Sequence, residues 1–550
     1  RDVLGSRGLG DVYKRQIFAI GGTGERVLRS FTMVLASGAP TFDNYEVFPV
    51  IIDYDTDNAD KVRTVELLKN YSAVHDSAFT RHSATSDLKG QSGQFFAAKL
   101  RNLNGLENYV FPFYPATDNE KFREHIGYDQ LSGNTMGTAD LLTSLYDESK
   151  RADTELNLDM TVGFKGNPNI GSVVFHSINN TTEFAAFRAR FQPESGDKVI
   201  IIGSLFGGTG ASGIPEIVKS IDAMKNGAKI ATILVLPYFA PMEKKDGAIQ
   251  ASRFNSKTKA ALSFYKDSGL MTKIDKIYYV GDPYPTVVPY SEGGKYQLNN
   301  ANIVELIGAM MIEHYVAGRD SKQKEFKFSP NANIVVRQGQ KNGQRLFIKD
   351  FDNISVSFVL NHLVELAIGL KCFHDEIYSG KAASKDFYKY LLLDKAVSKE
   401  DSVDETNKLR NLCSALEKFY FKYQEWLKEI DFEGNGDAIP ANSHRVGICD
   451  MTRNYSEIIL NEAIKADDAE SASIFSRAKD YINGKSNKDS LTDDFLLTRL
   501  NWHIRDDAKG NGHYDTASNS IRTGHEPEWV FADILHLASV DGFKELKITK

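Results

Sequence analysis

Two short stretches combine glycine with threonine where an apolar run ends: Gly21-Gly22-Thr23-Gly24 follows Ile17–Ile20, and Gly207-Gly208-Thr209-Gly210-Ala211 follows Val199–Ser204. A strand that ends in glycines and feeds a helix presents backbone N–H groups at the positive end of the helix dipole. The missing side chains let an anion approach that backbone closely. Phosphate is the anion such a loop suits, although a tight strand-to-helix turn required only for packing uses the same glycines. The spacing of Gly203 and Gly208 resembles the start of a Walker A loop, but Thr209 stands where that loop needs lysine, so the P-loop reading fails. Two such loops at the carboxyl ends of strands in one sheet would open on the same crevice.

The first loop has a competing reading. Asp53, Asp55 and Asp57 close the next apolar run and could supply the ribose-binding carboxylate of an NAD-type Rossmann unit, with Arg26 near the place of its third glycine. That reading covers residues 17–57 only and leaves the second loop unexplained. Elsewhere the chemistry is sparse. His503, His513 and His525 lie near acidic residues without the i, i+4 spacing of a zinc motif, and no metal ligand set is assigned. No G-x-S-x-G elbow is present. The charge cluster around Lys244, Lys245 and Arg253 reads as a solvated loop within reach of a phosphate.

The elements that must position these loops alternate between strand and helix. "IFAI", "VFPVIIDYDTD", "KVIIIGS", "AKIATILVLPY" and "KIDKIYYVGD" are apolar enough to be strands covered on both faces, and "VLRSFTMVLASG" has helical spacing. This predicts an α/β fold with a doubly wound, mainly parallel sheet over residues 17–355, with residues of about 60–165 as an insertion lacking sustained periodicity. Residues 356–550 read as a mainly helical C-terminal domain, from "VSFVLNHLVELAIGLKCFHDEI", "NKLRNLCSALEKFYFKYQEWLKEI" and "YSEIILNEAIKADDAESASIFSRAKDYI". Residues 1–16 are similar to a translated sequencing-adapter read-through and are set aside from fold reasoning.

Composition narrows the classes. The 550 residues, 41% hydrophobic and 25% charged, describe a globular chain able to bury a large core. A net charge of -7 gives no support to a general nucleic-acid binder. Cys372, Cys413 and Cys449 are widely spaced, which suits a reducing cytoplasm, and no apolar run reaches the length of a transmembrane helix.

The glycine segment 206–213, Phe-Gly-Gly-Thr-Gly-Ala-Ser-Gly, resembles the G-G-T-G-[SA]-G signature of the tubulin/FtsZ GTPases, departing from it at Phe206 and Ser212. Other segments fall in that family's order: "IGGTGER" at the first phosphate loop, "DYDTDNAD" with Asp55, "GNPNIGS" with Gly166 and Asn167 at the loop that senses the γ-phosphate, and "NNANIVELIGAMMIEHYV" at the central helix. The chain is most similar to the divergent bacterial tubulin-like group. The resemblance implies GTP as ligand, Mg²⁺ bridging its phosphates, Asn302 against the guanine, and Asp350 with its neighbour Asp352 orienting the attacking water. It further implies self-association head to tail into filaments, with one subunit completing the next subunit's site. The alternatives are a non-polymerising, nucleotide-dependent module that docks a protein partner through the helical C-terminal region, and an NAD-linked oxidoreductase.

Overall fold

A computed structural model describes residues 13–38, 45–79, 94–146, 155–329, 358–397, 408–430, 495–505 and 513–545, with short gaps inside several of these ranges, together with residue 42 and the pairs 345–346 and 445–446. Asp350, Asp352, Cys449 and the helix expected at 455–482 lie outside the described residues.

Seven parallel strands form the central sheet: β1 (Tyr13–Ile20), β2 (Tyr45–Ile52), β3 (Lys99–Leu100), β4 (Lys198–Ser204), β5 (Lys229–Val235), β6 (Lys276–Val280) and β7 (Glu325–Phe328). Their spatial order is β3-β2-β1-β4-β5-β6-β7. Chain direction across the sheet reverses between β1 and β4, which is where open α/β sheets place ligands. The register brings Ile20 of β1 level with Ile52 of β2 and Gly203 of β4, so the loops leaving these three strands emerge together.

Both faces of the sheet are covered, as the unbroken apolar runs require. Ile17 and Ala19 enter one core with Ile200 and Ile202, while Phe18 and Ile20 enter the other with Val199 and Ile201. On the first face lie α1 (Gly21–Ala36) and α2 (Ala59–Phe79); on the second lie α3 (Pro168–Phe175) and α4 (Gly208–Met224). After β5 come α5 (Phe254–Asp267) and, before β7, α6 (Ile303–Val316), which is buried all round.

Three observations bear on the stretches delimited in the sequence. The first strand is eight residues long and includes Tyr13–Gln16, which pair with β2 and in part with β4, so four of the residues set aside are sheet residues. The stretch read as an insertion supplies α2 and the edge strand β3. Its helix lacks a clear apolar period because its buried side includes Asp60, Lys61, Thr64, Asn70 and His75. The C-terminal helices α7 (Phe358–Cys372), α8 (Lys408–Ile430), α9 (Phe495–Arg505) and α10 (Pro527–Glu545) share one continuous core with the sheet, α1 and α2. Trp426 Nε1 donates to Ser30 Oγ at 3.1 Å, and Glu429 binds Arg29 at 2.6 Å and Arg63 at 2.8 Å, fastening α8 across α1 and α2. No helix among the described residues is long and apolar enough to cross a membrane.

Candidate functional site: a cleft between two glycine loops

Helix α1 begins in the first glycine loop itself. Gly21 has φ +69, a conformation that turns β1 directly into the helix and that side chains disfavour. The preceding residue, Ile20, gives no side-chain cap, and the first turn carries no acidic residue. Helix α4 likewise starts at Gly208, without an acidic residue in its first turn. The first N–H groups of a helix lack partners within it, so two positive helix ends face one place. The loops touch: a methyl group built on Gly21 would lie 3.1 Å from Thr209 Cβ and 3.5 Å from Gly210 N.

Between them opens a cleft of about 920 Å³, solvent at its mouth included. Gly21, Gly22, Thr23, Asp55, Gly166, Gly207, Gly208, Thr209 and Gly210 line it, so nine of the sequence-derived site residues converge. The others stand apart. Gly24 serves packing, since a methyl group there would come within 2.8 Å of the Ala19 carbonyl carbon and 2.9 Å of Ile202 O. Ala211 is buried below the loop, its carbonyl accepting from Tyr265 Oη at 2.9 Å. Asn167 reaches the loop through its backbone, its N lying 3.2 Å from a methyl group built on Gly208. Asn302 is the N-cap of α6: its Oδ1 accepts from Val304 N at 2.9 Å, its Nδ2 donates to Thr286 Oγ1 at 3.3 Å, and Glu305 closes a capping box. It does not line the cleft.

The departure at Ser212 has a packing cause. Ser212 Oγ donates back to Gly208 O at 2.8 Å, and a methyl group on Gly171 of α3 would collide with Ser212 Oγ. Gly213, one position later, lies where a methyl group would meet Ile20 and Phe175 at 2.8 Å. Small residues thus seat α3 against α4, and the loop 163–167 that leads into α3 presses on Gly208.

The floor beside α1 is charged and buried. Arg26 donates to Glu305 Oε1 at 2.7 Å, Asp60 Oδ2 at 3.0 Å, Tyr238 Oη at 2.8 Å and Thr23 Oγ1 at 3.3 Å. Burial opposes its charge, but Tyr238, Glu305 and Asp60 outweigh that and hold its pKa well above the ordinary value. Its donors are therefore committed to protein groups. Burial pushes Asp53 up to about 6, against the attraction of Lys61, and burial together with Asp53 holds Glu25 well above the carboxylate range. Asn58 Nδ2 bridges the two acids, at 3.0 Å to Asp53 Oδ2 and 3.2 Å to Glu25 Oε2. Asp55 accepts from Gly294 N at 2.6 Å and Asp57 N at 3.1 Å, tying the loop 291–294 to the end of β2.

Sequence reasoning missed the cleft's cations. Lys244 stacks over Tyr290 at 4.9 Å, Arg253 is exposed and Lys245 lies outside the described residues, whereas Lys165 and Lys257 line the cleft. Lys165 has φ +43 and sits between Phe164 and Gly166, a sharp turn that the neighbouring glycines 163 and 166 signal in the sequence.

No family model matches the chain, and no curated protein sequence matches it. Among solved structures it is similar to CetZ from Methanosaeta thermophila strain DSM 6194, a tubulin/FtsZ-superfamily protein. That likeness covers 56% of this chain and 56% of that one at 12% identity, with a TM-score of 0.28. At that score it carries no argument about this chain.

Proposed function

We propose that the chain binds a nucleoside triphosphate, with GTP as the preferred ligand, in the cleft between the two glycine loops. The observation that supports this reading best is the close approach of Gly21 to Thr209 at the switch point of the sheet, which brings together two helix N-termini that carry no acidic residue in their first turns. A polyphosphate is the ligand that both ends would stabilise together. The cradle fits such a group because Gly21, Gly22, Gly207 and Gly208 bring glycine backbone to the lining of the cleft.

Backbone N–H groups of residues 21–23 and 207–210 would hold the phosphates, with the hydroxyls of Thr23 and Thr209 beside them. Among the described residues no group of three or more His, Cys, Asp or Glu side chains could hold a metal ion. Mg²⁺ would therefore be held by phosphate oxygens and water, as this ion commonly is, and would supply charge neutralisation. The preference for guanine rests on the family resemblance alone. Hydrolysis and head-to-tail assembly belong to the same proposal and rest on that resemblance. A heterologous contact that does not close on itself generates an open filament.

The test is binding of GTP, ATP and NAD with Mg²⁺, coupled to phosphate release over a range of protein concentrations. GTP binding with turnover rising faster than linearly with protein supports an assembling GTPase. GTP binding with flat turnover reduces the proposal to a nucleotide-dependent binding module, and NAD binding without GTP refutes it.

A further inference from the structure

The cleft contains a cation that, among the described residues, has no countercharge in contact with it. Lys257 stands one turn into α5, is partly buried, and lines the cleft. Its Nζ donates to Gly166 O at 2.5 Å. A lysine has three donors and no acceptor, and a carbonyl neutralises no charge. Among the described residues Lys257 forms no ion pair. Glu155 acts on it only from a distance and accepts from Asn169 Nδ2 at 2.7 Å. Arg253, nearby on the same turn, adds charge of the same sign, and burial followed by Arg253 lowers the Lys257 pKa. Lys165, by contrast, faces Glu292 at 3.7 Å.

The local packing sets this ammonium against the glycine loop. Gly166 has φ +77, and a methyl group on it would lie 3.0 Å from Lys257 Nζ, so the lysine reaches the carbonyl over a bare backbone. On the other side, Gly166 N and Asn167 N each lie 3.2 Å from a methyl group built on Gly208. Lys257, the 163–167 loop and the start of α4 therefore form one continuous stack. A desolvated ammonium beside a second cation and two positive helix ends is unfavourable by itself, and each of these groups is stabilised by an entering polyanion.

Resting on the nucleotide reading above, we infer that Lys257 is the cleft's polyphosphate-binding cation and that its charge makes affinity rise with the number of phosphates in the ligand. The contact to Gly166 O is the position from which it engages the ligand. The site recognises a chain of phosphates whether or not a nucleoside is attached.

The experiment uses the full chain and inorganic tripolyphosphate and pyrophosphate as probes, titrated calorimetrically at fixed ionic strength, with GTP as a separate arm. Two variants are compared with the wild type: Lys257→Met, which removes charge and hydrogen bond, and Lys257→Gln, which keeps a donor for Gly166 O and removes only the charge. Both are expected to weaken tripolyphosphate by about tenfold or more, the size of a lost charge-assisted hydrogen bond, and pyrophosphate by less. Unchanged thermal melting of Lys257→Gln shows that the fold is intact. Wild-type affinity in Lys257→Gln, or no tripolyphosphate binding by the wild type, overturns the inference. Equal GTP affinity in wild type and both variants overturns it while the nucleotide reading stands. Failure of GTP to bind the wild type, with tripolyphosphate binding still dependent on Lys257, removes the nucleotide reading and leaves the cation assignment in place.

Discussion

Two glycines that look equivalent in sequence separate in structure, and a pair of alanine substitutions tests the separation. In Gly24→Ala the new methyl group points into the junction of β1 and β4, 2.8 Å from the Ala19 carbonyl carbon and 2.9 Å from Ile202 O. Ordinary contacts start near 3.4 Å, so main chain of two central strands must yield by about half an ångström. Overpacking of that kind costs about 1–3 kcal/mol, and the better helix propensity of alanine returns up to about 1 kcal/mol. The expected net loss is ~1–2 kcal/mol, seen as a lower denaturation midpoint at unchanged slope. In Gly207→Ala the methyl group meets Ser204 Oγ at 2.8 Å and no other neighbour, and that hydroxyl can rotate away. Stability should change by less than about 0.5 kcal/mol. Gly207 lines the cleft, so on the proposed reading the added methyl group hinders the approach of a phosphate oxygen to the backbone, and GTP affinity should fall by roughly tenfold, about 1.4 kcal/mol. Urea titration and calorimetric GTP binding on both variants give the readouts. Wild-type affinity in Gly207→Ala would show that the second loop is not the phosphate seat. Full stability with lost binding in Gly24→Ala would refute the assignment of that residue to packing.

Arg26→Met should destabilise the chain by about 3–5 kcal/mol, because Asp60 and Glu305 would be left as buried charges without their partner; Arg123→Ala, at the exposed pair with Asp129, should change stability by less than about 0.5 kcal/mol, and equal losses would refute the contrast. Asn302→Ala should cost about 1 kcal/mol as a lost N-cap and leave the GTP-to-ATP preference intact, so collapse of that preference would return Asn302 to the base-binding role. Asp53 is raised from 3.8 to about 6 on folding, so the folded chain binds more protons between those values and loses stability as pH rises through them; acidification from pH 7 to 5 should stabilise this region. Glu25→Gln removes the companion acid and should stabilise the chain more at pH 8 than at pH 5, and a pH-independent effect in urea melts would show that the buried acids are not the cause.

The strands were legible because parallel strands covered on both faces are continuous apolar runs, and the ends of "KVIIIGS" coincide with β4. Helices α7 and α8 were legible for a related reason: the buried positions of α8, such as Leu409, Leu412, Leu416, Phe419 and Tyr423, recur at helical spacing. Helix α2 was hidden because its buried side holds an ion and hydrogen-bond network instead of an apolar stripe, with Asp60 taking Arg26 and Arg63 and Asn70 reaching Ala415 O at 2.9 Å. The glycine loops announced themselves, but their composition does not distinguish a glycine that exposes backbone from one that lets two strands and a helix meet. Lys257 could not be found from sequence, since nothing in "FNSKTKAALSFY" separates it from Lys259, two residues later and exposed.

That the cleft should favour an anion is not evident from its lining, which includes three carboxylates. Each of them is already engaged. Asp55 accepts two backbone N–H groups, which compensate its charge locally. Asp53 accepts from Asn58 and Asp55 N, and its raised pKa reduces its charge toward the acid end of the neutral range. Glu292 accepts from Tyr290 Oη at 2.8 Å and faces Lys165. Among the described residues, the lining groups without a countercharge in contact are of the opposite sign: two helix N-termini without first-turn acids, and the ammonium of Lys257. Potential in a narrow, low-dielectric cleft is set by uncompensated charge at short range, because interactions beyond about 10 Å are screened at ordinary salt. The chain's net charge of -7 therefore has little bearing on what the cleft prefers, and its affinity for polyphosphate should persist at salt concentrations that abolish weak surface binding.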